Sequence, residues 1–221
     1  MTHSELKNIC RRMLDEQSNM VDSTRFWPDA DLTEYLNTCV EEVCERTNCL
    51  RDSLTDAVCK ITLVANQRHY ALHGSILDIL AVQPSWSHIP LAKQSITTVG
   101  SGAWLTATGL PVSYLLDYSN RTLSLTSAPS VVTDEHLRLT VIRLPVTELS
   151  AAGDVPAIAM RYHRRLVDGV LAKAYSKQDA EIYNPKKALS SQADWERNLS
   201  SIVRDEAKLN PRIYVARSVE I

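Results

Sequence analysis

Apolar residues near the start of the chain recur every three or four positions. Leu6, Ile9, Met13 and Leu14 have this spacing, which predicts a helix from about Ser4 to Glu16 with Ser4 as its cap. A polar stretch from Gln17 to Arg25 breaks the pattern. Trp27-Pro28-Asp29-Ala30-Asp31 then leads into Leu32, Tyr35, Leu36, Cys39, Val40, Val43 and Cys44. These seven positions form one stripe on a second helix. Asp31 with Glu34 three residues on is compatible with a capping box, and Asp29 is a competing cap.

From about Ala57 the period falls to two. Cys59, Ile61 and Leu63 alternate with Lys60 and Thr62, and Ala65-Asn66-Gln67 turns toward Tyr70 and Leu72. Ile76 to Val82 is a more continuous apolar run. Val112 to Tyr118 and Thr122 to Leu125 flank Ser119-Asn120-Arg121, a hairpin turn. His136 to Leu144 closes the series, with Leu137, Leu139 and Val141 on one face. No segment of helical period and crossover length separates these strands, which predicts an antiparallel sheet or small barrel.

Helical spacing returns after Leu149. Asp154-Val155-Pro156 reads as a helix start, followed by a stripe of Met160, His163, Val167, Val170, Leu171 and Ala174. Asn184-Pro185 opens another helix, carrying Ala188, Trp195, Leu199, Ile202 and Val203 up to Asn210-Pro211. The expected fold class is α+β, a four-helix bundle built from both chain ends with an inserted antiparallel β subdomain. Its parts are helical 1–56, β 57–150, helical 151–210 and an extended tail 211–221. Leu36, Val40, Val43, Leu166, Val170, Leu199 and Ile202 are expected in the shared core, because all four stripes need burial.

Composition narrows the class. With 44% hydrophobic and 23% charged residues, the chain has enough apolar surface to fold, so disorder is excluded as its main state. It lacks an apolar run long enough to span a membrane, and its first residues do not read as a secretory signal. Five cysteines, all within the first 59 residues, point to a reducing compartment rather than a disulfide framework. Cys39 and Cys44 lie on the helical stripe and read as small core residues. Charge is unevenly spread: residues 1–56 carry 12 acidic and 6 basic side chains, and residues 151–221 carry 9 and 12. That asymmetry could serve copies meeting head to tail, but on its own it reads first as solvated helix faces.

The spacings that catalysis requires are missing together. Gly100-Ser101-Gly102 is followed by no Lys-Ser/Thr and reads as a loop. The sequence contains neither a Gly-x-Ser-x-Gly elbow nor a Cys-x-x-Cys pair. His69 and His73 lie in an extended region, where four residues span roughly 13 Å, too far for a shared metal. His163 reads as a hydrogen-bonded packing histidine. Glu41-Glu42 and Asp205-Glu206 sit among basic residues on helices and read as solvated faces. The expectation is a non-enzymatic protein without cofactor or metal. Arg161, Arg164 and Arg165 cluster on one helix and could neutralise phosphates, but they are assigned to contacts within or between subunits.

One family shares this order of elements. Trp27-Pro28-Asp29-Ala30-Asp31-Leu32-Thr33-Glu34-Tyr35-Leu36-Asn37 resembles the start of the long helix in head-to-tail adaptor (connector) proteins of tailed bacteriophages. Gly109-Leu110-Pro111-Val112-Ser113-Tyr114 is similar to the entry into their β region. Leu123-Ser124-Leu125-Thr126-Ser127-Ala128-Pro129 and Leu139-Thr140-Val141-Ile142-Arg143-Leu144-Pro145 are similar to later strands. The stretch from Pro156 through Tyr162-His163-Arg164-Arg165-Leu166-Val167-Asp168-Gly169-Val170-Leu171 looks like their next helix. Ala174-Tyr175-Ser176-Lys177-Gln178-Asp179 and Tyr183-Asn184-Pro185 follow in order. The resemblance covers roughly residues 5–208, and Ser85 to Ser101 has no counterpart in it.

The resemblance implies a structural virion protein of the neck between capsid and tail, assembled in the host cytoplasm. It implies a homo-oligomeric ring, dodecameric in this family, beneath the portal protein and above a tail or nozzle protein. DNA passes through such a ring without specific binding, and no membrane is involved. The tail is the expected portal or subunit contact through Arg212, Ile213, Tyr214, Val215 and Arg217, ordering on its partner by strand addition. Arg161, Arg164 and Arg165 are the expected subunit interface on the basic helix. Another neck or tail-completion protein such as a tail terminator, or a DNA-binding packaging accessory protein, are the alternatives.

Overall fold

The computed structural model describes residues 1–14, 26–95, 97, 102–117, 119–130, 134–177 and 184–209. The chain divides into two compact units, one formed by Met1–Leu50 together with the chain from Leu144 onward, the other by Arg51–Arg143. Among the described residues the fold is mixed α and β, with two small sheets.

The first unit opens with α1 (His3–Met13), whose cap is Thr2 rather than Ser4. The Thr2 hydroxyl accepts the Glu5 N–H at 3.3 Å, and the Glu5 carboxylate accepts the Thr2 N–H at 2.9 Å. This reciprocal box needs an acid three residues on; Ser4 has Lys7 there, so it cannot build one. Helix α2 (Asp29–Thr47) starts one residue after Pro28, without a side-chain cap. Asp29 instead pairs with Lys7 and Arg11 of α1. The helix ends at Asn48, left-handed at φ 52°, whose N–H reaches the Cys44 carbonyl.

The expected helix start at Asp154-Val155-Pro156 is a loop. One Asp154 carboxylate oxygen accepts the N–H groups of Ser150 and Ala151, each at 2.7 Å, and the Asp154 carbonyl takes the His3 N–H at 2.7 Å. Those contacts hold the residues of the start signal against the front of the chain. Helical turns begin later, as α4 (Met160–His163) and α5 (Leu166–Ser176), after the short α3 (Asp56–Cys59) of the second unit. The break falls at Arg164-Arg165. Met160, expected in the buried stripe, is 75% exposed, and Tyr162 is fully buried instead. Helix α6 (Pro185–Leu209) starts as expected, with the Asn184 side chain accepting the Lys187 N–H at 3.1 Å.

Helix α5 packs on α1, α2 and α6. Leu36, Val40, Val43, Leu166, Val170, Leu199 and Ile202 are all buried in one core with Trp195 and Tyr162. Gly169 permits the close approach there: a Cβ at this position would stand 2.7 Å from Cys39 Sγ. Cys10 and Cys39 are fully buried. Burial pushes both thiols up to about 12, which leaves them unreactive.

The second unit holds two four-stranded sheets. In the first, β8 (His136–Arg143) pairs on one side with β1 (Arg51–Asp52) and β2 (Lys60–Thr62), and on the other with β4 (Ile76–Pro84), all antiparallel. In the second, the order is β3 (His69–Ala71), β7 (Thr122–Leu125), β6 (Ser113–Asp117), β5 (Ala92–Lys93). The β5–β6 pair is parallel, which departs from the expected all-antiparallel arrangement. A two-residue strand shows no alternation, so its period carries no signal. It lies in the polar stretch for which the family resemblance offered no counterpart. Arg68 is buried here and donates to the carbonyls of Trp104, Ala107, Leu125 and Thr126, tying the loop before β6 to the end of β7.

Candidate functional site

The basic cluster sits where α4 meets α5, and the last turns of α6 pack against it. Tyr162 carries the arrangement. Its ring is buried, and its hydroxyl donates to Glu206 Oε1 at 2.8 Å. Arg161 donates to the same oxygen at 2.9 Å and lies 4.7 Å over the Tyr162 ring. Arg165 donates to Asp205 at 3.1 Å and lies 5.3 Å from the ring centre. Burial, then the Glu206 carboxylate, pushes the Tyr162 hydroxyl above its ordinary range. The Arg164 side chain is exposed, and its guanidinium makes no hydrogen bond or ion pair to any described residue. Two of the three arginines therefore spend their charge within the chain, and one points outward.

Glu206 is the member that sequence reasoning missed, because an acid beside Asp205 on a helix reads as solvated. The available signal was Tyr162, four residues before Leu166 and eight before Val170, a spacing that turns its hydroxyl inward. His163 is buried, with Nε2 2.9 Å from the Ile158 carbonyl and Nδ1 3.0 Å from the Met1 amino group. The carbonyl fixes the proton on Nε2, which leaves Nδ1 to accept. The tail residues Arg212, Ile213, Tyr214, Val215 and Arg217 lie outside the described residues, as do Gly100 and Ser101 of the glycine loop.

His69 and His73 take separate partners, Ser124 at 2.7 Å and Ser75 at 2.8 Å. Among the described residues no group of three or more His, Cys, Asp or Glu is arranged to hold a metal ion. No described helix is long and apolar enough to cross a membrane. Asn37 clamps the segment after β8 in both directions, its amide donating to the Leu149 carbonyl at 3.1 Å and accepting the Leu149 N–H at 2.8 Å.

Two grooves run along outward helix faces of the first unit. One, of about 600 Å³, follows α2 past Asp29, Glu34, Thr38 and Glu41, with Glu148 on its far wall. The other, of about 540 Å³, follows α6 past Arg197, Ser200 and Arg204. The first is acidic apart from Lys7; the second is bordered by cations and Glu196.

No curated protein matches the chain. A family model described as SU10 adaptor protein matches residues 1–216, nearly the whole of it and both structural units. The chain belongs to the SU10 adaptor protein family, a family of phage head-to-tail adaptors, and is a structural protein of the virion.

Proposed function

We propose that the protein is the subunit of a homo-oligomeric ring, a dodecamer by likeness to such adaptors. The ring joins the capsid to the tail beneath the portal and surrounds the DNA exit channel. The family match over residues 1–216 carries this reading. The fold supports it: both ends of the chain contribute to one helical unit, which we read as a four-helix bundle bearing an inserted β subdomain. A bundle tied together at both ends is a rigid ring segment, and heterologous contacts that close by rotation make rings.

In this reading the tail from residue 211 is the docking arm, with Arg212, Ile213, Tyr214, Val215 and Arg217 on the portal or the neighbouring subunit. Arg161 and Arg165 brace the subunit, and Arg164 is the member of the cluster free to meet a neighbour. DNA slides past without specific binding, and a tail or nozzle protein attaches below. The work is mechanical, with no catalytic step. Particles assembled without this protein should be filled heads lacking tails, and adding purified protein should restore tail attachment. Tailed, infectious particles formed in its absence would refute the proposal.

A further inference from the structure

The exposed stripe of α2 runs Ala30, Glu34, Thr38, Glu41, Glu45, and the exposed stripe of α6 runs Ala193, Arg197, Ser200, Arg204, Lys208. The charges repeat at one spacing: Glu34, Glu41 and Glu45 stand at i, i+7 and i+11, and so do Arg197, Arg204 and Lys208. On a helix these intervals correspond to about 10.5 and about 16.5 Å along one face. Four residues before each ladder is an alanine, and four residues after its first charge is a small hydroxyl, Thr38 on α2 and Ser201 on α6. Small residues let two helices approach between the charged rungs.

We infer that the acidic face of α2 receives the basic face of α6 from a second copy of this chain, the two helices running in the same direction. Glu34 then meets Arg197, Glu41 meets Arg204, and Glu45 meets Lys208. In the opposite direction the middle rungs miss by three residues, so the sequence spacing selects the parallel register. Both faces lack strong competing partners. Glu34, Glu41, Glu45, Arg204 and Lys208 make no ion pair with any described residue, and Arg197 leans on Asp194 of its own helix. An exposed pair of that kind is weak and exchanges readily. Each ladder also borders a groove, of about 600 Å³ on α2 and about 540 Å³ on α6, which gives the opposing side chains room to seat. Because donor and acceptor faces are different surfaces, the contact is heterologous and leaves both faces of a dimer open for a further copy. The inference rests on the ring reading and supplies its interface.

The test uses two full-length variants, Glu34→Lys/Glu41→Lys/Glu45→Lys and Arg197→Glu/Arg204→Glu/Lys208→Glu. Self-association is followed by sedimentation in solution and by recovery of the protein in assembled particles. Each variant alone should lose association on the order of tenfold or more, and wild-type association should weaken as salt rises. An equimolar mixture should recover association, because one variant is basic on both faces and the other acidic on both. Recovery also establishes that both variants fold. A Thr38→Cys/Ser201→Cys chain should form cross-linked multimers on oxidation, beyond any formed by the wild type treated alike. If wild-type oligomers persist in both variants and no cross-link forms, these faces are not the interface, although the ring reading stands. If the wild type never self-associates, in solution or in particles, both fall.

Discussion

Gly169 of α5 lies flat against the indole of Trp195 on α6: a methyl group there would stand 3.0 Å from Trp195 Cδ2 and 2.7 Å from Cys39 Sγ. Alanine favours an isolated helix over glycine by about 1 kcal/mol. Both neighbours are buried and packed, and forcing an extra carbon into a filled core costs typically about 1–3 kcal/mol. Gly169→Ala should therefore destabilise the protein despite its better propensity, with a shifted Trp195 emission. Urea unfolding checks the sign, and a stabilised variant would show that α5 and α6 can separate freely.

Leu36 and Leu199 are buried in the same core although they come from opposite ends of the chain. Truncating either to alanine should cost about 2–5 kcal/mol. Urea melts of the two single variants and the double variant check this. If removal of the N-terminal third by proteolysis left the remainder melting unchanged, the shared core would be refuted.

Asp52 pairs with Arg143 at 2.8 Å across β1 and β8, and accepts the Leu54 and Thr55 N–H groups at 2.8 and 3.1 Å. Burial pushes its carboxyl up, but the Thr55 hydroxyl, these N–H groups and the guanidinium outweigh it and hold it well below the usual carboxylate range. A lowered folded-state pKa contributes stability that is fully present above the unfolded value of about 3.9 and is lost as pH falls through the folded one. Asp52→Asn should cost about 1.5–3 kcal/mol at neutral pH. The gap from wild type should close only in strong acid. A gap that closed near neutrality would assign the effect elsewhere.

The arginine cluster makes a separate prediction. With Arg161 on Glu206 and Arg165 on Asp205, little of this cluster's positive charge is left for phosphates. Short duplexes should bind no tighter than micromolar at physiological salt, with a shallow salt slope. Sub-micromolar binding, abolished by changing Arg161, Arg164 and Arg165, would overturn this.

Deleting residues 211–221 should leave the melting temperature of the subunit unchanged and abolish its stable attachment to the portal or to a neighbour. Full assembly of the truncated protein into tailed particles would exclude a docking role for the tail.

The helices were readable wherever a long stripe faced one core. Leu32, Leu36, Cys39, Val40 and Val43 repeat over several turns, and no local interaction competes with that period. The strands from Thr122 and His136 were also readable, because their sides alternate over four residues or more, and those from Ile76 and Ser113 because each is an apolar run bounded by turn residues. Features that rest on one long side chain reaching across the fold were not. Arg68 closes a loop through four carbonyls, and nothing in its neighbours announces it. Asp154 reads as a helix start from local chemistry alone, yet its carboxylate and carbonyl are taken by Ser150, Ala151 and His3. Arg161, Arg164 and Arg165 look alike in sequence, and only the partners on α6 separate the two braced residues from the exposed one.

The Trp27 indole N–H bonds the Ala174 carbonyl at 3.0 Å, between residues 147 positions apart. A ribosome adding about 5–20 residues per second takes roughly 7–30 s to cover that distance. For most of that interval α2 stands with its apolar stripe uncovered, while Arg51–Arg143 emerges whole and can collapse on itself. Completion of the helical unit thus waits for translation rather than for diffusion. During that wait the nascent N-terminal segment is a target for chaperones and proteases. Synonymous codons that slow the ribosome between residues 50 and 174 should lower the yield of folded subunit without altering the stability of the molecules that do fold.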